Sequence, residues 1–135
     1  MFERCLYFNL NSLTRKVNKI WGQAFEEFEL SPAHAYLLRV VLAKPGISQH
    51  SIGTELNLEK STITRFIEAL VNKKFIKRHK SGREQNVYPT ESAVKISQQL
   101  ELKGNQLYQQ MIENMGKDNL TKIIAELRQT GVKLK

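Results

Sequence analysis

A chain of 135 residues, 41% hydrophobic and 25% charged, is sized for one folded domain and is neither disordered nor fibrous in composition. No apolar run nears the ~18 residues that span a bilayer, and a lone cysteine, Cys5, excludes an intrachain disulfide framework. The net charge of +8 calls for an anionic partner.

The distribution of that charge says which kind. Residues 60–83 hold eight of the twenty-one lysines and arginines against one acid, Glu68, so almost the whole excess lies on less than a fifth of the chain. Charge focused in this way is the footprint of a nucleic-acid-binding surface, whereas lysines serving solubility would be spread along the sequence.

In chain order, Leu6, Leu10, Leu13, Val17, Ile20, Trp21, Ala24, Phe25 and Phe28 recur at helical spacing and predict a long amphipathic helix over 6–28. Ser31-Pro32 reads as an N-cap followed by proline at the first helical position. The helix it starts turns Tyr36, Leu37, Val40 and Val41 inward and stops before Pro45-Gly46. Ile47 is a short strand, and Ser48 caps a short helix that runs to Leu56 with Ile52 and Leu56 facing the core. Asn57 then suits the left-handed conformation of a tight helix–helix turn.

The next helix, from Glu59 to about Lys73, has two faces. Ile63, Phe66, Ile67, Leu70 and Val71 form one, while Lys60, Ser61, Thr62, Thr64 and Arg65 form the N-terminal part of the other. Two short helices joined by a few residues, the second opening on hydroxyls and cations, make a helix-turn-helix. Phe75–His79 and Asn86–Pro89 predict two short strands joined through Ser81-Gly82-Arg83. Thr90 caps a long helix striped by Ala93, Ile96, Leu100, Leu107, Met111 and Met115 and weakened at Gly104. A break over Gly116–Asn119 precedes a last helix with Leu120, Ile123, Ile124 and Leu127.

The expected fold is mainly α with a small β-hairpin: a winged helix-turn-helix over residues 30–90, flanked by helical segments 6–28 and 91–135, in a single domain spanning 1–135. The flanking helices carry more apolar surface than one chain readily covers, which points to a homodimer. Two recognition helices would then lie about one DNA turn apart, ~34 Å, and read an inverted repeat.

The run from Leu56 to Ile76, LNLEKSTITRFIEALVNKKFI, resembles the recognition-helix region of the MarR family of bacterial and archaeal transcriptional regulators. The stretches Leu30–Leu38 and Val87–Glu91 fit the same pattern. The resemblance implies a homodimer held by its terminal helices, with the Ser61–Arg65 region in the major groove and the wing in an adjacent minor groove. Three positions depart from the pattern. The wing of the family usually reads Asp-x-Arg, where this chain has Ser81 and Arg83. Phe75 stands where glycine is common, and Pro89 replaces a usual leucine, which suggests an edge strand lacking one ladder donor.

The candidate DNA-binding residues are Ser48, Lys60, Ser61, Thr62, Thr64, Arg65, Lys77, Arg78, Lys80 and Arg83. Arginine bonds guanine bidentately, and hydroxyls serve bases or phosphates. Lys73 and Lys74 are set apart, because cations at a helix C-terminus also answer its dipole. Trp21, Phe25, Tyr36 and Arg39 are candidates for a site that takes a small aromatic or anionic effector, as the resemblance implies, although aromatics at helical spacing are more often core packing. Cys5 is a redox candidate only by loose resemblance to peroxide-sensing relatives, and an unreactive thiol is the plainer reading. His34, His50 and His79 lack the spacing of metal ligands, and no nucleophile–base arrangement stands out. Neither enzyme nor cofactor is expected.

The function expected is therefore a cytoplasmic, homodimeric, sequence-specific regulator, a repressor by resemblance, acting on double-stranded DNA at a pseudo-palindromic operator and released by a signal. The competitors are a non-specific architectural nucleic-acid-binding protein and a winged helix used for protein contacts.

Overall fold

The computed structural model describes all of residues 1–135 and packs them into two compact units, 1–101 and 102–135. The first unit begins with α1 (Leu6–Phe25), which continues as a 3₁₀ turn over Glu26–Phe28 rather than as regular helix. Periodicity cannot separate the two over three residues. The turn ends at Glu29 in the left-handed region, φ 55°, which redirects the chain into α2 (Pro32–Ala43). Ser31 caps α2 as expected: its hydroxyl accepts from the His34 backbone N–H at 3.2 Å, and Pro32 occupies the first turn.

β1 is only two residues, Ile47–Ser48. Ser48 then caps α3 (Gln49–Leu56) by accepting from the Ser51 N–H at 3.1 Å. Asn57 takes the left-handed conformation, φ 54° and ψ 47°, and turns the chain into α4 (Lys60–Asn72). The exit from α4 is a Schellman motif: Phe75 N–H bonds the Leu70 carbonyl and Lys74 N–H bonds the Val71 carbonyl. Its left-handed residue is Lys74, φ 65°, where glycine would adopt the conformation without strain.

β2 (Ile76–Ser81) and β3 (Glu84–Pro89) form the hairpin. The strands are longer than the sequence pattern predicts and take Ser81 into the ladder, leaving a two-residue turn, Gly82-Arg83, with Gly82 at φ 63°. The sheet order β1-β3-β2 makes β3 the central strand and corrects the edge-strand expectation at Pro89. The register explains why proline is tolerated. Pro89 pairs with Ile76, and Thr90 N–H bonds the Phe75 carbonyl, so the ladder donors toward β2 fall at 88 and 90. The donor that Pro89 lacks would point to the β1 side. There β1 reaches only Val87 and Asn86.

Between the helices and the sheet lies one apolar core: Phe25, Leu37, Leu38, Val41, Ile52, Ile63, Ile67, Leu70, Ile76 and Val87 are all buried. α5 (Glu91–Met115) starts after Thr90, whose hydroxyl donates to the Lys74 carbonyl at 2.7 Å and faces the Ala93 N–H at 3.4 Å. It contributes Ala93 and Leu100 to the buried set of the first unit. Gly104 does not interrupt this helix.

In the second unit the chain breaks at Gly116 alone, φ 84°, and α6 (Lys117–Lys133) starts directly after it, three residues sooner than the expected break through Asn119 allows. Leu107 and Leu120 are buried there. Tyr108, Ile124, Leu127, Val132 and Leu134 remain exposed.

Candidate nucleic-acid interface

α4 is positioned by what it buries. Ile63, Ile67 and Leu70 hold one face in the core, which obliges residues 60, 61, 64, 65 and 68 to look outward at i, i+3 and i+4 spacing. Lys60, Ser61 and Arg65 are exposed, and Thr62 and Thr64 are half-buried. Glu59 at the N-cap makes no side-chain bond to the helix, so the first-turn N–H groups, with the positive end of the helix dipole, stay open.

The hairpin extends this surface. Lys77, Arg78, Lys80 and Arg83 are all exposed. Strand register divides them: Arg78 and Lys80 share the face of Val87 and Gln85, while Lys77 shares the opposite face with Tyr88 and Asn86. Glu84 at the tip, opposite Ser81, is the one acid among them. A cleft of about 720 Å³ lies between the hairpin and the helix pair, lined by Ser48, Gln49, His50, Lys60, Arg83 and Gln85 among others.

The electrostatics follow from what these cations lack. The salt bridges Met1–Glu3 and Lys44–Glu55 do not involve residues 60–83. Seven of the eight basic residues there present uncompensated charge to solvent. The eighth, Lys73, donates to the Glu29 carbonyl at 2.9 Å and so ties the end of α4 to the turn before α2. Lys74 serves the backbone turn described above. Solvated cations that outnumber their acidic neighbours repel one another, a cost that a polyanion reverses.

Sequence reasoning missed Gln49. Its Nε2 donates to Thr64 Oγ1 at 2.8 Å, and Thr64 Oγ1 donates in turn to the Lys60 carbonyl at 3.0 Å. Ser48 lies at the cleft edge with its hydroxyl engaged in capping α3 and in donating to Ser51 Oγ at 2.9 Å.

The four effector candidates do come together, as a packed cluster. Trp21 Nε1 donates to the Tyr36 hydroxyl at 3.2 Å, the Phe25 ring meets Tyr36 edge-on at 5.8 Å, and the Arg39 guanidinium lies 5.4 Å from the Tyr36 ring centroid. Phe25 is fully buried and is core; the other three are half-buried. In the first turn of α2 the His34 ring packs on Phe66 of α4 at 4.5 Å and contacts the Ser31 hydroxyl. Burial, and then the Lys73 charge, hold the His34 imidazole below its ordinary range. Cys5 is half-buried at the start of α1, where its carbonyl accepts from the Asn9 side chain at 2.7 Å. No group of three or more His, Cys, Asp or Glu side chains is placed to hold a metal ion, and no helix is long and apolar enough to cross a membrane.

Residues 30–84 match the sequence profile of the MarR family. None of the curated proteins compared with the chain by sequence matches it. Among solved structures, the fold is similar to MepR of S. aureus, determined as a DNA complex, at 18% identity and a TM-score of 0.83 over 96% of this chain and 98% of that one. It is similar to a mutant MarR from E. coli complexed with operator DNA, at 19% identity and a TM-score of 0.80 over 93% and 92% of the two chains. The regulator PcaV from Streptomyces coelicolor, in complex with its natural ligand, is similar at 17% identity and a TM-score of 0.76 over 88% and 89%.

Proposed function

We propose, on the match of residues 30–84 to the MarR family and on the winged-helix fold, that the chain is a sequence-specific, double-stranded-DNA-binding transcriptional regulator. The observation that carries this is the exposed surface of α4 and the hairpin, whose cations join neither salt bridge and of which Lys60 and Arg83 line one cleft. Two neighbours of the same fold were determined with DNA, one of them with operator DNA. In this reading α4 enters the major groove, with Ser61, Thr62 and Arg65 at the base edges. Lys60, Arg78, Lys80 and Arg83 answer the backbone and the adjacent minor groove.

The working form is a homodimer on a pseudo-palindromic operator. Leu6, Leu10 and Leu13 on α1, and Ile124 and Leu127 on α6, are apolar and exposed, and a second copy closes such faces. Residues 6–28 and 91–135 are thus dimerisation segments and 30–90 the reading module of one cytoplasmic repressor. A small aromatic or anionic effector releases the operator by favouring dimers whose two α4 helices are wrongly spaced, a population shift. Trp21, Tyr36 and Arg39 are its candidate contacts, an assignment helped by the ligand held by the PcaV fold. In this role the chain performs no catalysis.

Selection from a randomised duplex pool tests the proposal. It should enrich an inverted repeat with half-sites about one helical turn apart. Recovery of unselected sequence alone would replace it with a non-specific architectural role. Arg65→Ala should cost about 1–3 kcal/mol on the selected site and relax one base preference. Equal weakening on every duplex would assign Arg65 to a phosphate instead.

A further inference from the structure

Thr64 lies on the α4 face that also carries Lys60 and Ser61, yet its hydroxyl is already committed. A threonine hydroxyl has a single proton, and here it goes to the Lys60 carbonyl at 3.0 Å. A phosphate oxygen, which only accepts, therefore finds no proton on Thr64. The same constraint fixes the direction of Gln49. Oγ1 of Thr64 can offer Gln49 only a lone pair, so the amide nitrogen of Gln49 must face it, at 2.8 Å. One N–H of the amide is thereby used. One N–H and the carbonyl oxygen are left, on a half-buried side chain at the first turn of α3, in the cleft shared with Lys60, Arg83 and Gln85.

We propose that Gln49 is a sequence-reading residue that takes an adenine edge in the major groove, and that Thr64 is the positioning residue that holds its amide for the purpose. The proposal rests on the DNA-reading function argued above. A remaining donor and acceptor on one amide complement adenine, whose N7 accepts and whose N6 amino group donates. A phosphate would use the N–H alone and leave the carbonyl oxygen without a donor once water is displaced, which is costly. A glutamine tied at one N–H also loses less rotamer freedom on binding than a free one, so the tie favours selectivity over bulk affinity.

The test uses the full chain, its selected duplex and a shuffled duplex at one salt concentration. Wild type is compared with Gln49→Ala, Thr64→Val, Thr64→Ser and the double variant Gln49→Ala/Thr64→Val, with thermal unfolding of each as a folding control. Gln49→Ala should lower the preference for the selected site by roughly ten-fold or more while binding to the shuffled duplex stays put. Repeated selection with that variant should lose one A·T requirement in each half-site. Thr64→Val should lose part of the same preference, Thr64→Ser should keep it, and the double variant should be no worse than Gln49→Ala alone. Equal weakening on both duplexes would make Gln49 a phosphate contact and overturn the proposal, as would no change on either. Losses that simply add in the double variant would overturn the positioning role. A wild type without preference defeats the DNA-reading function itself, and that result is visible before any variant is made.

Discussion

Residues 32–89 and the helices that flank them solve the burial problem differently. The central segment encloses Leu37, Leu38, Val41, Ile52, Ile63, Ile67, Leu70, Ile76 and Val87, none more than 2% exposed. By contrast, Leu6 and Leu13 on α1 are 53% and 41% exposed, and Ile124 and Leu127 on α6 are 43% and 47% exposed. Both regions have amphipathic periodicity, so pattern alone does not distinguish them. The difference is whether the chain itself supplies the other side. Where it does, a lost methylene is felt as lost folding; where a second copy supplies it, as proposed above, the same chemistry is felt as lost assembly.

Substitution can break this contrast, and the largest effect is expected in the core. Ile67→Ala should cost about 2–5 kcal/mol of stability, measured by urea unfolding, because the cavity it leaves is walled on every side. A loss below about 1 kcal/mol would mean that the core of the central segment is not closed. Next in size, the pair Leu10→Glu and Leu127→Glu should leave unfolding nearly unchanged and abolish assembly. Operator affinity should fall by roughly 100-fold as two linked half-site contacts become independent. An unfolded double variant would show instead that these faces are covered within one chain.

Smaller effects sharpen the picture at the two ends of α4. Lys74→Gly should stabilise the fold by up to about 1 kcal/mol, since glycine takes φ 65° freely while adding some unfolded-state entropy. Thermal unfolding reads this, and destabilisation would mean that the Lys74 side chain contributes more than its strained backbone costs. At His34, burial and Lys73 favour the neutral imidazole, so the unfolded chain binds the proton more readily than the folded one. That contribution is present above the ordinary value of 6.5 and is lost as the pH falls below it toward the folded value. Wild type should therefore lose more stability than His34→Gln between about pH 8 and about pH 5. Parallel losses in the two would remove His34 from the α2–α4 contact.

Much of this was legible in the residues. Apolar spacing in α2 and α4, the caps at Ser31 and Ser48, and the left-handed turn at Asn57 are local, and local chemistry is what a sequence states most directly. The charge concentration over 60–83 is a count, so its place on α4 and the hairpin could be read in advance. Other features depend on how distant elements meet. The central place of β3 depends on β1, two residues too short to show alternation, and so Pro89 suggested an edge. The bond from Gln49 to Thr64 joins residues fifteen apart whose proximity follows from the angle between α3 and α4. Nothing about either residue alone announces it. The dual duty of Lys73 and Lys74 is hidden for the same reason: a lysine that meets a distant carbonyl or takes a left-handed turn counts as the same charge as one that meets DNA.

The claim that a paired, positively charged α4–hairpin surface reads DNA sequence is tested most directly by one titration. A duplex carrying the selected inverted repeat, and its shuffled counterpart, are titrated at about 0.15 M salt with stoichiometry followed by sedimentation velocity. The expected result is two protomers per selected duplex, bound at least ~10³-fold more tightly than to the shuffled one. One protomer per duplex, or equal affinity for both sequences, would contradict it.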